Sequence, residues 1–277
     1  MTRTTTFRSN RLAIVLVGAV MAPTFARAQE ASIELAVAPA QASQTRATAP
    51  TIRPGEFYAA PWVERLGGPA NAGSIVGTGD VPGIPLTEEE RPLQSYERVF
   101  VTVPSGMSSA AGTRYIAARF GPMIEGVGQV MVPTAVIAIE RAQPGQAAEA
   151  RVMARFEPVQ IGDLLVSMDA APVGNARPAA VTGGAETFVM WIKSDPVLPS
   201  LHSYVVVAAT PGMRVGDQVS FYRPRRQTPS GVVLPESEIA VAQLVRVTPH
   251  GATALIVDQT YGAIQQGTNA RVTAKMP

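Results

Sequence analysis

The chain of 277 residues contains no cysteine and only two histidines. Without thiols there is no disulfide staple, thiolate zinc site, iron–sulfur cluster or cysteine nucleophile. Two histidines leave little scope for an imidazole metal site or a triad. Charged residues make up 16% and aromatics 6%. Beyond residue 28 no apolar run approaches the roughly 18 residues that a membrane helix needs, so no transmembrane span is expected after the N-terminal segment is removed. Enzyme signatures are also missing: there is no G-x-S-x-G elbow, H-E-x-x-H, P-loop, EF-hand loop or G-x-G-x-x-G. These absences give the expectation of a non-enzymatic protein, with no catalytic, cofactor-binding or metal-ligating residue assigned.

What is present is 46% hydrophobic residues together with 24 Gly and 24 Pro. That mixture, rich in Val, Ala and Thr, argues against a helical bundle and for an all-β protein. Residues 1–28 read as a secretory signal: Arg3, Arg8 and Arg11 precede the apolar stretch Leu12 to Val20, and Ala26-Arg27-Ala28 forms an A-x-A cleavage site. The expected location is therefore the periplasm or another extracytoplasmic part of the cell envelope. Removing the signal takes away four Arg and no acid. The precursor's net charge of +2 then becomes −2, with 19 basic against 21 acidic residues. A near-neutral chain lacks the cations that nucleic-acid affinity rests on, so nucleic acid is not an expected partner.

Residues 29–54, mostly Ala, Gln, Ser, Thr and Pro, bury too little apolar surface to offset ordering entropy and read as a flexible tether. Residues 55–92 combine Phe57, Tyr58 and Trp62 with a Gly/Pro-rich run from Gly67 to Pro85, and are expected to pack on a first domain. In this run Gly77-Thr78-Gly79 is read as loop, and Thr87-Glu88-Glu89-Glu90 fits a capping box. Residues 170–185 form a second linker-like stretch.

The remainder falls into two related halves, 93–169 and 186–277. Leu93, Ser95, Val101 and Gly106-Met107 match Leu198, Ser200, Val206 and Gly212-Met213. Tyr115 to Arg119 matches Val219 to Arg223, Ile139-Glu140-Arg141 matches Leu244-Val245-Arg246, and Ala150-Arg151-Val152 matches Leu255-Ile256-Val257. Gly162 to Val166 matches Gly267 to Val272. The shared order and near-constant offset indicate a tandem duplication. About six short strands per half, separated by turn signals, predict two small barrels or sandwiches.

Several segments resemble a known family. Arg53-Pro54-Gly55-Glu56-Phe57-Tyr58-Ala59-Ala60-Pro61, Val132 to Val136, Val215 to Arg223, Glu238 to Val247 and Gly262 to Gly267 are similar to the region downstream of the LysM module in bacterial envelope LysM peptidoglycan-binding proteins. The Gly-Asp turn and strand from Val215 to Arg223 also resembles the C-terminal domain of flagellar assembly protein T. The likeness covers roughly residues 53–277 and implies an envelope location. The LysM module itself is absent: between Gln29 and Gln94 the only Gly-Asp is Gly79-Asp80, and Val81-Pro82-Gly83 after it does not start that module's helix. The resemblance therefore carries peptidoglycan binding onto no residue of this chain.

Candidate contacts with an envelope protein partner or with peptidoglycan are the basic cluster Arg223, Arg225 and Arg226, which can grip carboxylate or phosphate, and the aromatics Tyr58 and Trp62, which can stack on sugar rings. Against these stand plainer readings. The arginines fit a solvated hairpin loop, and Phe57, Tyr58 and Trp62 fit a plug at one end of a barrel. Trp191 reads as core, and the run Tyr204 to Ala209, apolar on both faces, as a buried central strand. His202 and His250 read as structural or surface residues. Asp163 and Asp217 each follow Gly, and the repeat aligns them with Thr268 and Thr113. Small polar residues exchanging in this way point to turn formation rather than catalysis. The expected role is an exported structural or adaptor protein; the alternatives are a glycan-binding protein, an envelope hydrolase of unfamiliar site, and an accessory subunit of a membrane or flagellar assembly.

Overall fold

The structure, a computed structural model, describes residues 52–79, 91–172, 176–193 and 198–277. The signal segment, nearly all of the tether and the capping box at 87–90 lie outside the described residues. Strand accounts for 50% and helix for 3%, so the all-β expectation holds.

One short helix opens the fold, α1 (Pro54–Ala59), followed by β1 (Trp62–Glu64). Six strands come next: β2 (Gly73–Thr78), β3 (Arg98–Thr102), β4 (Arg114–Ile124), β5 (Gly128–Arg141), β6 (Ala148–Arg155) and β7 (Leu164–Ser167). The two-residue β8 (Ala179–Ala180) leads to β9 (Glu186–Ile192), β10 (Tyr204–Val207) and β11 (Gln218–Arg223). A small ribbon of β12 (Arg226–Gln227) and β13 (Val233–Leu234) intervenes before β14 (Ser237–Thr248), β15 (Gly251–Gln259) and β16 (Asn269–Lys275).

Pairing closes on itself twice. The first ring runs β2-β3-β6-β5-β4-β7 and back to β2; the second runs β9-β10-β15-β14-β11-β16 and back to β9. All pairs are antiparallel. Strand for strand the two rings follow the same order, so the halves are two copies of one barrel. Closure removes the free edges of each sheet. Inward-facing positions fill each interior: Ile75, Val99, Val101, Ile137, Val152 and Leu165 in the first, and Val189, Val205, Val207, Phe221, Leu244 and Ile256 in the second.

Register corrects the sequence matching in three strands. In one, Val166 lies opposite Ile116 as Arg271 lies opposite Ser220, so Val166 corresponds to Arg271 rather than to Val272. Ala150 lies opposite Ile139, and Ala254 opposite Leu244, so Ala150 corresponds to Ala254 rather than Leu255. By the same logic Val101, opposite Ala148, corresponds to Val207, opposite Ala252, rather than to Val206. A slip of one residue exchanges the faces of a strand. Val206 and Leu255 in fact point out of the barrel, and the slip at Ala150 arises because the β5–β6 connection is longer than the β14–β15 turn.

Three further readings change. Gly77-Thr78 is strand, not loop: β2 is a wall of the first barrel, and Gly73 is there because a Cβ would sit 2.0 Å from the Thr102 carbonyl oxygen. The first barrel thus begins at residue 73. The 170–185 stretch contributes β8, which pairs with the end of β16. Finally, residues 52–64 do not pack on the first barrel alone. β1 pairs with β5 through Trp62↔Met131 and Val63↔Val130, while its other side faces the second barrel. There Tyr204 Oη donates to Glu56 O at 2.9 Å, Thr253 Oγ1 to Pro61 O at 2.6 Å and Thr248 Oγ1 to Val63 O at 2.9 Å.

This segment is the mortar of a seam. Ala60 and Ile52 pack with Val245, Leu255 and Tyr204. Val63 packs with Met190 and Val206, joined by Ile124 and Val127 from the β4–β5 hairpin and by Trp191. The double-sided apolarity of β10 follows: Val205 and Val207 face its own barrel, and Val206 faces the seam. Lys193 Nζ, 2.9 Å from Glu157 Oε1, adds an ion pair between the barrels.

Candidate functional site in the seam

Turns hold Asp163, Asp217 and His202. Gly112 and Gly216 both have positive φ, and their amides donate to the equivalent carbonyls of Ile139 and Leu244 at 2.8 and 2.7 Å. Gly162 and Gly267 repeat the pattern, donating to Ile75 O and Val189 O, both at 2.8 Å. In three turns a side-chain oxygen caps the amide three residues back. Asp163 Oδ2 accepts from Gln160 N and Thr268 Oγ1 from Gln265 N, at 3.1 and 2.8 Å, and Asp217 Oδ2 accepts from Arg214 N at 2.9 Å. Asp217 Oδ1 also accepts from Met276 N, and Asp163 Oδ2 from Thr134 Oγ1, both at 2.7 Å. Burial pushes the Asp163 carboxyl above its ordinary range, against these hydrogen bonds. Both aspartates act as turn formers. His202 likewise holds a turn: at φ 64° its amide donates to Ile256 O, as Tyr96 at φ 66° donates to Val152 O.

The residues proposed as partner contacts fall into two separate places. Arg223 ends β11 and lies over the Tyr261 ring at 5.2 Å, while Arg225 and Arg226 are exposed at the start of the β12–β13 ribbon. Tyr58 and Trp62 lie instead on the outer wall of the first barrel, against Ile116, Ala118, Met131 and Val136. No hydrogen bond, ion pair or ring contact joins the two sets among the described residues. The aromatics therefore do not plug a barrel end. They cover a barrel wall, because the outward faces of β4 and β5 are apolar there and require a cover.

Covering that wall brings Phe57 and Trp62 to Arg246 of β14. The guanidinium carbon stands 4.2 Å from the centroid of the Trp62 ring and 5.1 Å from that of Phe57. Such stacks contribute on the order of 0.5–2 kcal/mol, more when desolvated. Around them opens a cleft of about 400 Å³ lined by Phe57, Trp62, Glu64, Asp169, Arg246 and Thr248, among others. Three parts of the chain meet here: the 52–64 segment, the strand end after β7, and the second barrel. Arg246 Nη1 is buried and has no hydrogen-bond partner, and the guanidinium forms no ion pair with a described residue. Burial holds Arg246 below its ordinary value, while Asp169 and Glu64 pull it the other way from a distance.

A second cleft, about 450 Å³, lies beside Pro92, Gln94, Arg155 and Glu157. Its charges are already engaged: Arg155 Nη1 donates to Leu93 O and Gln94 Oε1, both at 3.2 Å, and Glu157 pairs with Lys193 and Arg119. The seam cleft is the one with an unspent charge. Sequence reading placed Arg246 only as the repeat partner of Arg141. No local motif marks it, because the rings and carboxylates around it come from residues 77 to 189 positions away.

No protein-family model matches this chain, and no curated protein matches it either.

Proposed function

We propose that the protein is an exported, non-enzymatic adaptor or structural protein of the cell envelope. The observation that carries this reading is the seam. Two closed barrels, whose buried carboxylates serve their own turns, are fastened together by residues 52–64. Such a body offers a shaped surface to a partner. The signal-like N-terminus and the likeness to the region downstream of LysM modules support the periplasmic or extracytoplasmic location. The tether would give the body reach from an attachment point.

A second reading, direct peptidoglycan binding, is favoured by one feature: an arginine, two carboxylates and two aromatics around one cleft form a polar-and-ring lining of the kind that small-molecule sites use. Two experiments separate the readings. Affinity purification of a tagged copy from its own envelope brings down a stoichiometric protein partner if the adaptor reading holds. Purified sacculi then leave the protein in the supernatant. Sedimentation with sacculi, with no protein partner recovered, overturns it in favour of the second reading.

A further inference from the structure

The duplication supplies an internal control for Arg246. In the first barrel the equivalent residue is Arg141. Both follow a bulge, between Ile139 and Arg141 in one copy and between Leu244 and Arg246 in the other. Across the strand pair Arg141 faces Glu149, and the two side chains come within 3.8 Å. Across from Arg246 the same register position holds Thr253, whose hydroxyl is spent on Pro61 O. The second copy therefore has the cation without the facing carboxylate. It has also moved the cation from an exposed strand end into a half-buried cleft between two rings. Arg246 lines this cleft with its Nη1 buried and unmatched, which leaves the guanidinium costly to hold there without an acceptor.

The rest of the lining narrows what replaces that acceptor. Glu64 and Asp169 give the cleft two negative charges against one positive. A simple anion is drawn to Arg246 but repelled by its neighbours, and a simple cation meets the reverse. A ligand with both signs a few ångströms apart satisfies each. The volume of about 400 Å³ is at the small end of ligand sites. We propose that the seam cleft binds a small zwitterion, an amino acid or a short peptide with free ends, its carboxylate on Arg246 where the first copy supplies Glu149 and its ammonium on Glu64 and Asp169. This site stands on geometry alone and does not depend on the adaptor reading.

The test is a titration of the purified full chain with L-alanyl-L-alanine, followed by the Trp62 indole NMR signal. Two capped forms serve as controls, N-acetyl-alanyl-alanine and alanyl-alanine amide. The expected result is a saturable shift with the free dipeptide and affinity at least about ten-fold weaker for each capped form, the worth of one charge-assisted contact. Arg246→Gln should lose the free dipeptide by at least about ten-fold. Since Arg246 also holds the aromatics, Asp169→Asn is the second variant: it should weaken the free dipeptide and leave binding of the N-acetylated form unchanged. Absence of a saturable shift up to about 20 mM in the folded wild type overturns the proposal. Equal affinity for free and capped forms, or unchanged binding in a folded Asp169→Asn protein, overturns it as well. Neither result bears on whether the protein has an envelope partner, which the affinity purification decides.

Discussion

Thr253 is 1% exposed, and its hydroxyl reaches across the seam to the buried Pro61 carbonyl over 2.6 Å. Thr253→Val keeps the branched shape and removes only the donor. The carbonyl is then left in a dry place without this partner, which costs roughly 1–3 kcal/mol. For a folded body of this size, with described residues between 52 and 277, each kcal/mol moves the midpoint by about 2–4 °C. The expected fall in Tm is therefore about 2–12 °C, read by circular dichroism and checked by urea unfolding with an unchanged m-value. Tyr204→Phe removes a second tie, to Glu56 O. If 52–64 lifts as one piece, the double variant loses less than the sum of the singles, by at least about 0.5 kcal/mol. A Thr253→Val protein that melts within about 1 °C of wild type would refute the claim that these bonds hold the seam.

Three other outcomes follow from the structure. Gly73→Ala should unfold the first barrel or sharply lower its Tm, because its Cβ would meet the Thr102 carbonyl at 2.0 Å, whereas Gly77→Ala, with nothing within 4 Å, should stay folded; thermal melts of the pair decide. Burial raises the Asp163 carboxyl, so ionising it costs the folded state stability as pH rises through its folded value. Asp163→Asn should then match or exceed wild-type Tm at pH 7 and lose that advantage toward pH 4, while Asp163→Ala, which leaves Gln160 N and Thr134 Oγ1 uncapped, should cost about 1–3 kcal/mol throughout. The Tyr204 phenol, half-buried and near Glu56, is pushed up to about 12. Its proton is held more tightly in the folded state, so stability should drop between pH 10 and 12; burial raises Tyr115 as well, so phenolate absorbance should show a late-ionising fraction that Tyr204→Phe reduces.

Much of the fold was legible in the chain. Period-two runs such as Gln218 to Tyr222 gave strands, and Gly followed by a small polar residue gave the turns that recur in both barrels. The repeat could be read because a Gly followed by a small polar residue recurs at its turns, with Asp163 and Thr268 capping the same amide position in the two copies. β2 was hidden because Gly73 and Gly77, which read as loop residues, serve close strand approach and a bulge. Register was misread by one residue in three strands, since a change of turn length shifts the offset without changing the pattern of apolar residues. The seam was not legible at all. Phe57, Tyr58 and Trp62 look alike as buried area wherever they pack, and only the tertiary structure sets Trp62 against Arg246. The three arginines at 223–226 drew notice by their density, whereas Arg246 stands alone in sequence and gains its character from facing Thr253 where its counterpart Arg141 faces Glu149.

The most direct test of the account is scanning calorimetry of the full chain. If residues 52–64 fuse the two barrels, the folded unit melts in one transition. The calorimetric and van't Hoff enthalpies then agree near about 160 kcal/mol, the figure for about 230 residues at 60 °C. Two transitions, or a van't Hoff enthalpy near about 80 kcal/mol, would mean that each barrel melts alone and that the seam is not a structural joint.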